Sequence, residues 1–360
     1  MGARILFVSG RETGYIRNRV ILTALRAAHD VTVLTPEARS TPWRLLGGAA
    51  RVLTCRASHE LYFAGFYGQP LALAASITQP APVILDAFVS TYDTLCEDRR
   101  TFSSRSPAGR LAFWLDEAGC RRAARVLTDT EANAEYLANT FDVPREKLAA
   151  LPVGCDEAVF FPRPVERQTS RFEVFHYGAF LGLHGADVIV RAAALLRDCR
   201  DVHFTLGGDG PLRRDMVALV KELGLDNVSL PGWIPFERLP DYIARADICL
   251  GGHFSTIPKA QRVVATKTYQ FIAMARPTIV GDNIASREAF IHGEHVLAVP
   301  MGDPAALAGT IAALRDDTAL RERLASAGYA LFRERYSSAA IGRRLTRIVD
   351  EVLAQHRGQP

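Results

Sequence analysis

The side chains most able to do chemistry gather around short glycine-bearing loops and one late cationic segment. Gly178 and Gly185 flank a loop that contains His184, Gly207-Gly208-Asp209-Gly210 follows an apolar run, and Arg262, Lys267 and Thr268 lead into a periodic apolar segment. Glycine lets backbone approach a ligand closely. A helix start presents free N–H groups and a partial positive charge, and a lysine or arginine beside it adds a full one. That combination suits a pyrophosphate. A plain tight turn competes with this reading at each glycine, and a solvated surface charge competes with it at Arg262 and Lys267. His184, placed just before a helical segment, can donate a hydrogen bond to phosphate in either protonation state, more strongly as a cation, because its ordinary pKa lies near 6.5.

The first half carries a second set. Gly10-Arg11-Glu12-Thr13-Gly14 follows the apolar run at 4–8, and Asp86 ends the run at 83–85, ahead of Ser90, Thr91, Tyr92 and Asp93. A carboxylate at that place either orients and deprotonates a hydroxyl or caps a turn. Asp129-Thr130-Glu131 has the look of an acidic metal triplet. We read it instead as a helix start with Thr130 as N-cap and an acid in the first turn, and expect no essential metal. The six cysteines (Cys55, Cys96, Cys120, Cys155, Cys199, Cys249) include no Cys-x-x-Cys pair and form no ligand cluster with His59 or His253. Reduced thiols and a cytoplasmic location are expected from that usage.

The elements that position these residues alternate strand and helix from end to end. Strands are expected at 4–8, 31–34, 61–66, 83–85, 125–128 and 148–151, with helices at 16–28, 69–77 and 131–140. Prolines and glycines at Pro152, Gly154, Pro162 and Pro164, with a polar run from 166 to 171, mark a linker. A second series of strands follows at 173–177, 202–206, 228–230, 248–250, 278–280 and 296–299. Asp303-Pro304 starts a helical end with Asp as cap and Pro in the first turn. The expectation is an α/β protein of two Rossmann-like, doubly wound domains, 1–165 and 166–340, with a last helix at about 341–360 returning to the first domain.

Composition narrows the partners. The chain has 360 residues, too many for one core, and a net charge of +4 spread along its length, which gives nucleic acid no electrostatic footprint. No charged leader precedes the first strand, and no run approaches the roughly 20 apolar residues of a spanning helix. The segment 107–125 sets Leu111, Phe113, Trp114 and Leu115 near Arg110, Arg121 and Arg122. It reads as a core-facing helix, with peripheral membrane contact as the alternative.

Five spaced motifs resemble the family-four retaining glycosyltransferases. They are Leu151-Pro152-Val153-Gly154-Cys155-Asp156 with Phe160 and Pro162; Tyr177-Gly178-Ala179 to His184-Gly185; Gly207-Gly208-Asp209-Gly210-Pro211-Leu212; Pro231-Gly232-Trp233 through Leu239-Pro240 to Ala246-Asp247; and Tyr269-Gln270-Phe271-Ile272-Ala273-Met274-Ala275-Arg276-Pro277. The resemblance covers nearly the whole chain. It implies a GT-B fold with two domains facing a cleft, and transfer of a sugar, with retention, from a UDP- or GDP-sugar to a hydroxyl of a small-molecule, glycan or lipid-linked acceptor. No cofactor is implied beyond the nucleotide-sugar donor.

Carried over by position, the resemblance implies donor contacts from Gly178, Gly185, Gly208, Asp209 and Gly210, and a ribose contact from Gln270. It sets Gly10, Arg11 and Gly14 in an acceptor-side loop facing the phosphates, and Asp86 beside the acceptor. Four charged positions depart from the family pattern: Ala179 and His184 replace its Arg and Lys, and Arg262 and Gln270 replace its two Glu. Lys267 is then the first choice for the cation that stabilises the leaving diphosphate, with Arg262 beside it and Thr266 or Thr268 capping the helix. The departures leave two alternatives: a weakly active relative that supports a partner enzyme, and a sugar-nucleotide epimerase of the same fold.

Overall fold

The computed structural model describes residues 2–34, 40–55, 58–164 and 171–358. It divides into two compact units, Met1–Gly154 with Ser338–Pro360, and Cys155–Ser337. The expected boundary at 165/166 falls within residues 165–170, which lie outside the described residues.

In the first unit the strands are β1 (Arg4–Ser9), β2 (Asp30–Val33), β3 (Leu61–Gly65), β4 (Val83–Asp86), β5 (Arg125–Thr128) and β6 (Leu148–Ala150). All pair in parallel, in the order β2-β1-β3-β4-β5-β6. Continuous apolar runs suit strands covered on both faces. Alternate residues of β1 accordingly enter different cores: Leu6 and Val8 pack with Tyr62, Leu85 and Val126, while Ile5 and Phe7 pack with Phe63, Ile84 and Leu127. The second core also takes Ile341, Leu345, Val349 and Val352 from the final helix, Ser338–Arg357.

In the second unit the strands are β7 (Phe172–Tyr177), β8 (Val202–Gly207), β9 (Val228–Gly232), β10 (Ile248–Leu250), β11 (Thr278–Gly281) and β12 (Leu297–Val299). The order is β12-β11-β10-β7-β8-β9, again parallel. The chain thus reverses its direction of travel across the sheet between β7 and β10 in this unit, and between β1 and β3 in the first. Loops at the carboxyl ends of such strand pairs are where open α/β sheets bind ligands.

Two expected caps are present. Thr130 accepts from Asn133 N, and Asp303 accepts from Ala305 N and Ala306 N. The helix Thr41–Thr54 was not among the expected elements. Helix Pro107–Arg122 buries Ala112, Asp116, Ala118 and Cys120, while Leu111 and Trp114 face outward. Among the described residues no helix is long and apolar enough to cross a membrane.

Candidate functional site

At the reversal point of the second unit, four basic side chains converge. β7 ends at Tyr177 and its loop delivers Gly178 and His184; β10 ends at Leu250 and its loop delivers Gly251, Gly252 and His253. His176 points inward from β7 and is fully buried. Lys267 comes from the first turn of helix Thr266–Ala273.

Distances show how tightly these groups meet. A β-carbon built on Gly178 would lie 3.0 Å from His184 Cε1 and 3.3 Å from Lys267 Nζ. The His184 and His253 rings stack with centroids 5.4 Å apart, and His176 stands edge-on to His184 at 6.4 Å. His176 Nδ1 donates to the Leu250 carbonyl over 2.8 Å, which leaves its Nε2 as the lone-pair nitrogen of a neutral ring. Lys267 is only 5% exposed. Its Nζ, His176 Nε2 and the Nδ1 atoms of His184 and His253 have no hydrogen-bond partner among the described residues.

Burial without a counter-ion sets the protonation states. Desolvation pulls the Lys267 ammonium down to about 7. Desolvation, reinforced by Lys267, holds His176 and His184 well below the ordinary histidine range and takes His253 to about 3. No carboxylate among the described residues acts on any of the four. An unpaired ammonium removed from water is expensive, and an anion beside it would offset that cost.

The glycine loops pack around it. A β-carbon on Gly208 would fall 1.9 Å from the Gly178 carbonyl, and one on Gly185, whose φ is +68°, would meet Ser255 N at 2.6 Å. Gly210 lies against Phe180 N. Asp209 is exposed and its Oδ1 accepts from Gly210 N over 2.8 Å, so it closes its own turn. Arg262 is half-buried and follows the 3-10 turn Pro258–Gln261.

One detail of the expected site needs correction. The N-cap of helix Thr266–Ala273 is Ala265, with no side-chain cap: Thr266 is already helical, and Thr268 is buried with its hydroxyl against Gly251 rather than capping. Gln270 is likewise buried, and its Oε1 accepts from the Tyr177 hydroxyl within the unit.

In the first unit, the loop after β1 is held from beneath. Asn18 Nδ2 donates to Glu12 O over 3.0 Å, Ser9 Oγ donates to Arg11 O over 2.6 Å, and Phe66 N donates to Asn18 Oδ1 over 3.3 Å. Gly10 packs against Tyr67, whereas Gly14 has open space around it. Arg11 is partly exposed, 3.3 Å from Glu12 and over the Tyr15 ring.

Asp86 differs from what its position in the chain suggested. It is fully buried, and both its oxygens are taken by Arg17, with Arg17 Nη2 at 2.8 Å from Oδ1. Arg17 also donates to the carbonyls of Leu151 and Pro152. A carboxylate so engaged fixes the end of β4 to the chain leaving the first unit. Two further buried carboxylates here are Asp129, raised to about 6, and Asp116, raised to about 7, both mainly by desolvation. Asp129 Oδ1 accepts from Asn133, and Asp116 Oδ2 accepts from Ser90 Oγ and Tyr92 N. Among the described residues no group of three or more His, Cys, Asp or Glu is placed to hold a metal.

Comparison with known proteins bears on the unit that holds this basic cluster. Residues 171–317 match the family described as glycosyl transferases group 1. The alpha-D-kanosaminyltransferase of Streptomyces kanamyceticus is 25% identical over 256 residues, 67% of this chain and 64% of that protein. The lipopolysaccharide core biosynthesis glycosyltransferase LpsD of Rhizobium meliloti is 31% identical over 47% of each chain. The chain thus spans less than two thirds of the length of either relative. Among solved structures, HepE of Anabaena in complex with UDP superposes with a TM-score of 0.75 at 18% identity, covering 97% of this chain and 100% of that one. Sucrose-phosphate synthase of Thermosynechococcus elongatus gives 0.76 at 15% identity, covering 98% and 100%. The fold is GT-B: two Rossmann-like units, each built on a six-stranded parallel sheet.

Proposed function

We propose that this protein is a glycosyltransferase whose second unit holds a nucleoside-diphosphate sugar by its diphosphate, and which transfers the sugar to an acceptor hydroxyl bound by the first unit. The observation that carries the reading is Lys267: a buried ammonium without a counter-ion, at the strand-reversal point of the unit that matches the glycosyl transferases. HepE has been solved with UDP and with UDP-glucose, which supports a UDP-sugar as donor.

In the transfer the bond between the sugar and the β-phosphate oxygen breaks, the acceptor oxygen bonds to the sugar carbon and gives its proton to the departing diphosphate, on which negative charge grows in the transition state. Lys267 and the free N–H groups of its helix start offset that charge, which lowers the barrier more than it stabilises the bound donor. Retention of configuration follows the family resemblance, and no metal is assigned a role. Asp86 has no place as a base in this scheme; with Arg17 it positions the end of β4. Lys267 supplies a cation where Ala179 and His184 stand in place of the family's Arg and Lys, which favours an enzyme over an inert relative.

The test begins with thermal protection by UDP, GDP and their sugars, followed by donor hydrolysis and transfer to polyol acceptors. Lys267→Ala should weaken donor binding and turnover together, by roughly 10- to 100-fold, as expected for losing a hydrogen-bonded charge. Unchanged kinetics would remove Lys267 from the site. Binding without turnover would favour a scaffold, and sugar conversion without an acceptor would favour an epimerase.

A further inference from the structure

The three histidines around Lys267 are more than a donor contact requires. They come from separate places in the chain, β7, its loop and the loop after β10, yet they meet edge to face and face to face around one ammonium. The remaining charged group that acts on the cluster is Lys259, which acts on His253 from the turn Pro258–Gln261. Four basic groups packed together with no acid cannot all be charged, because each proton added repels the next and none is well solvated. They can be charged when a polyanion arrives.

We infer that His184 and His253 belong to the diphosphate site as proton acceptors, and that binding of a nucleoside diphosphate to the second unit is coupled to uptake of protons by the Lys267–His184–His253 cluster. The inference rests on the proposed donor reading and adds to it a role for His253. Geometry supplies the route. His184 and Lys267 reach the same point beside Gly178, so a phosphate oxygen there is within reach of both, and the His253 ring, stacked on His184, lies close enough to feel the charge held there. His176 is not in first contact, because the atoms nearest that point belong to His184 and Lys267.

The sign follows from linkage. In the free protein burial leaves Lys267 largely deprotonated above about 7. The bound diphosphate raises every pKa in the cluster, so protons enter on binding, and affinity falls as pH rises through the interval between the free and bound values. One proton taken up lowers affinity by up to about tenfold for each pH unit in that interval.

Isothermal titration of the intact protein with UDP and with GDP, in PIPES, MOPS and Tris at pH 7.5, reads the proton count from the dependence of heat on buffer ionisation. The expected result is uptake of about one proton per nucleotide at pH 7.5, set by the free pKa of Lys267. Uptake should be larger at pH 6.5 in the wild type than in His184→Gln or His253→Gln. Lys267→Met should abolish the uptake at pH 7.5; if that variant does not fold, the two glutamine variants carry the comparison. Binding whose heat is independent of buffer overturns the inference and leaves the donor reading intact. Uptake unchanged in both histidine variants removes His184 and His253 from it. Failure of UDP and GDP to bind at all overturns the donor reading, and the inference with it.

Discussion

Arg17 and Asp86 illustrate how much a side chain's role depends on partners far away in the chain. The two are separated by 69 positions, and both are buried. Asp86→Ala would leave a guanidinium in the interior whose remaining hydrogen bonds go to the carbonyls of Leu151 and Pro152. Breaking one side of such a pair should cost about 3–5 kcal/mol, while replacing both members with apolar residues should restore much of it. Chemical denaturation of the single variant and of Arg17→Met/Asp86→Leu measures this. If Asp86→Ala instead keeps the wild-type midpoint and loses turnover alone, the carboxylate acts on the acceptor after all. The same distance problem limited the sequence reading elsewhere. Gln270 reads as a ribose contact from the sequence, which gives no sign that Tyr177, 93 positions earlier, donates to its carbonyl oxygen. His253 was passed over because its significance appears only when β10 is known to lie beside β7.

Elements were far more legible than contacts. Each of the twelve strands among the described residues coincides with an expected strand to within a residue or two; β3 and β4, covered on both faces, are uninterrupted buried runs, while the edge strands β2 and β9 alternate in exposure. The caps Thr130 and Asp303 were legible for a local reason, since the hydrogen bond they make is within three residues. Helix Thr41–Thr54 was not. It contains Gly47 and Gly48, and it turns Trp43, Leu46 and Leu53 outward, so its apolar residues do not mark a buried face. Loops divide along the same line. Gly14 and Gly208 look alike in the sequence, but a methyl group on Gly14 meets nothing within 4 Å, and one on Gly208 strikes the Gly178 carbonyl at 1.9 Å. Gly14→Ala should therefore leave the melting temperature within about 1 °C, whereas Gly208→Ala should cost about 1–3 kcal/mol and displace the Gly178 loop. Calorimetry compares the two, and UDP affinity reports on the displaced loop. Equal tolerance at both positions would mean that the two loops do not need to be so close.

At the scale of the whole molecule, the chain order and the compact units do not coincide, because the last helix belongs with the first unit. Helix Ser338–Arg357 lays Ile341, Leu345, Ile348, Val349, Val352 and Leu353 into the core that contains Ile5, Phe7, Ile21 and Leu25. Ion pairs Arg125–Glu351 and Arg357–Glu60 fix its outer edge, but exposed pairs of this kind contribute little. The apolar contacts decide the matter. At about 1.5–3 kcal/mol for each fully buried aliphatic side chain, their removal forfeits on the order of 10 kcal/mol. A domain's entire stability is about 5–15 kcal/mol, so the first unit should not survive the loss. The second unit has its own core, built from Val174, Ile189, Phe204, Leu250, Ile279 and Leu307, to which the helix contributes nothing. Deleting residues 338–360 should thus unfold one unit and spare the other. Hydrogen exchange would show it as lost protection across β1, β3, β4 and β5, with β7, β8, β10 and β11 still slow. UDP would continue to retard exchange around Gly178 and Lys267, because every group proposed to hold the diphosphate lies in the surviving unit. Loss of protection in both sheets together would mean that the two cores do not fold independently.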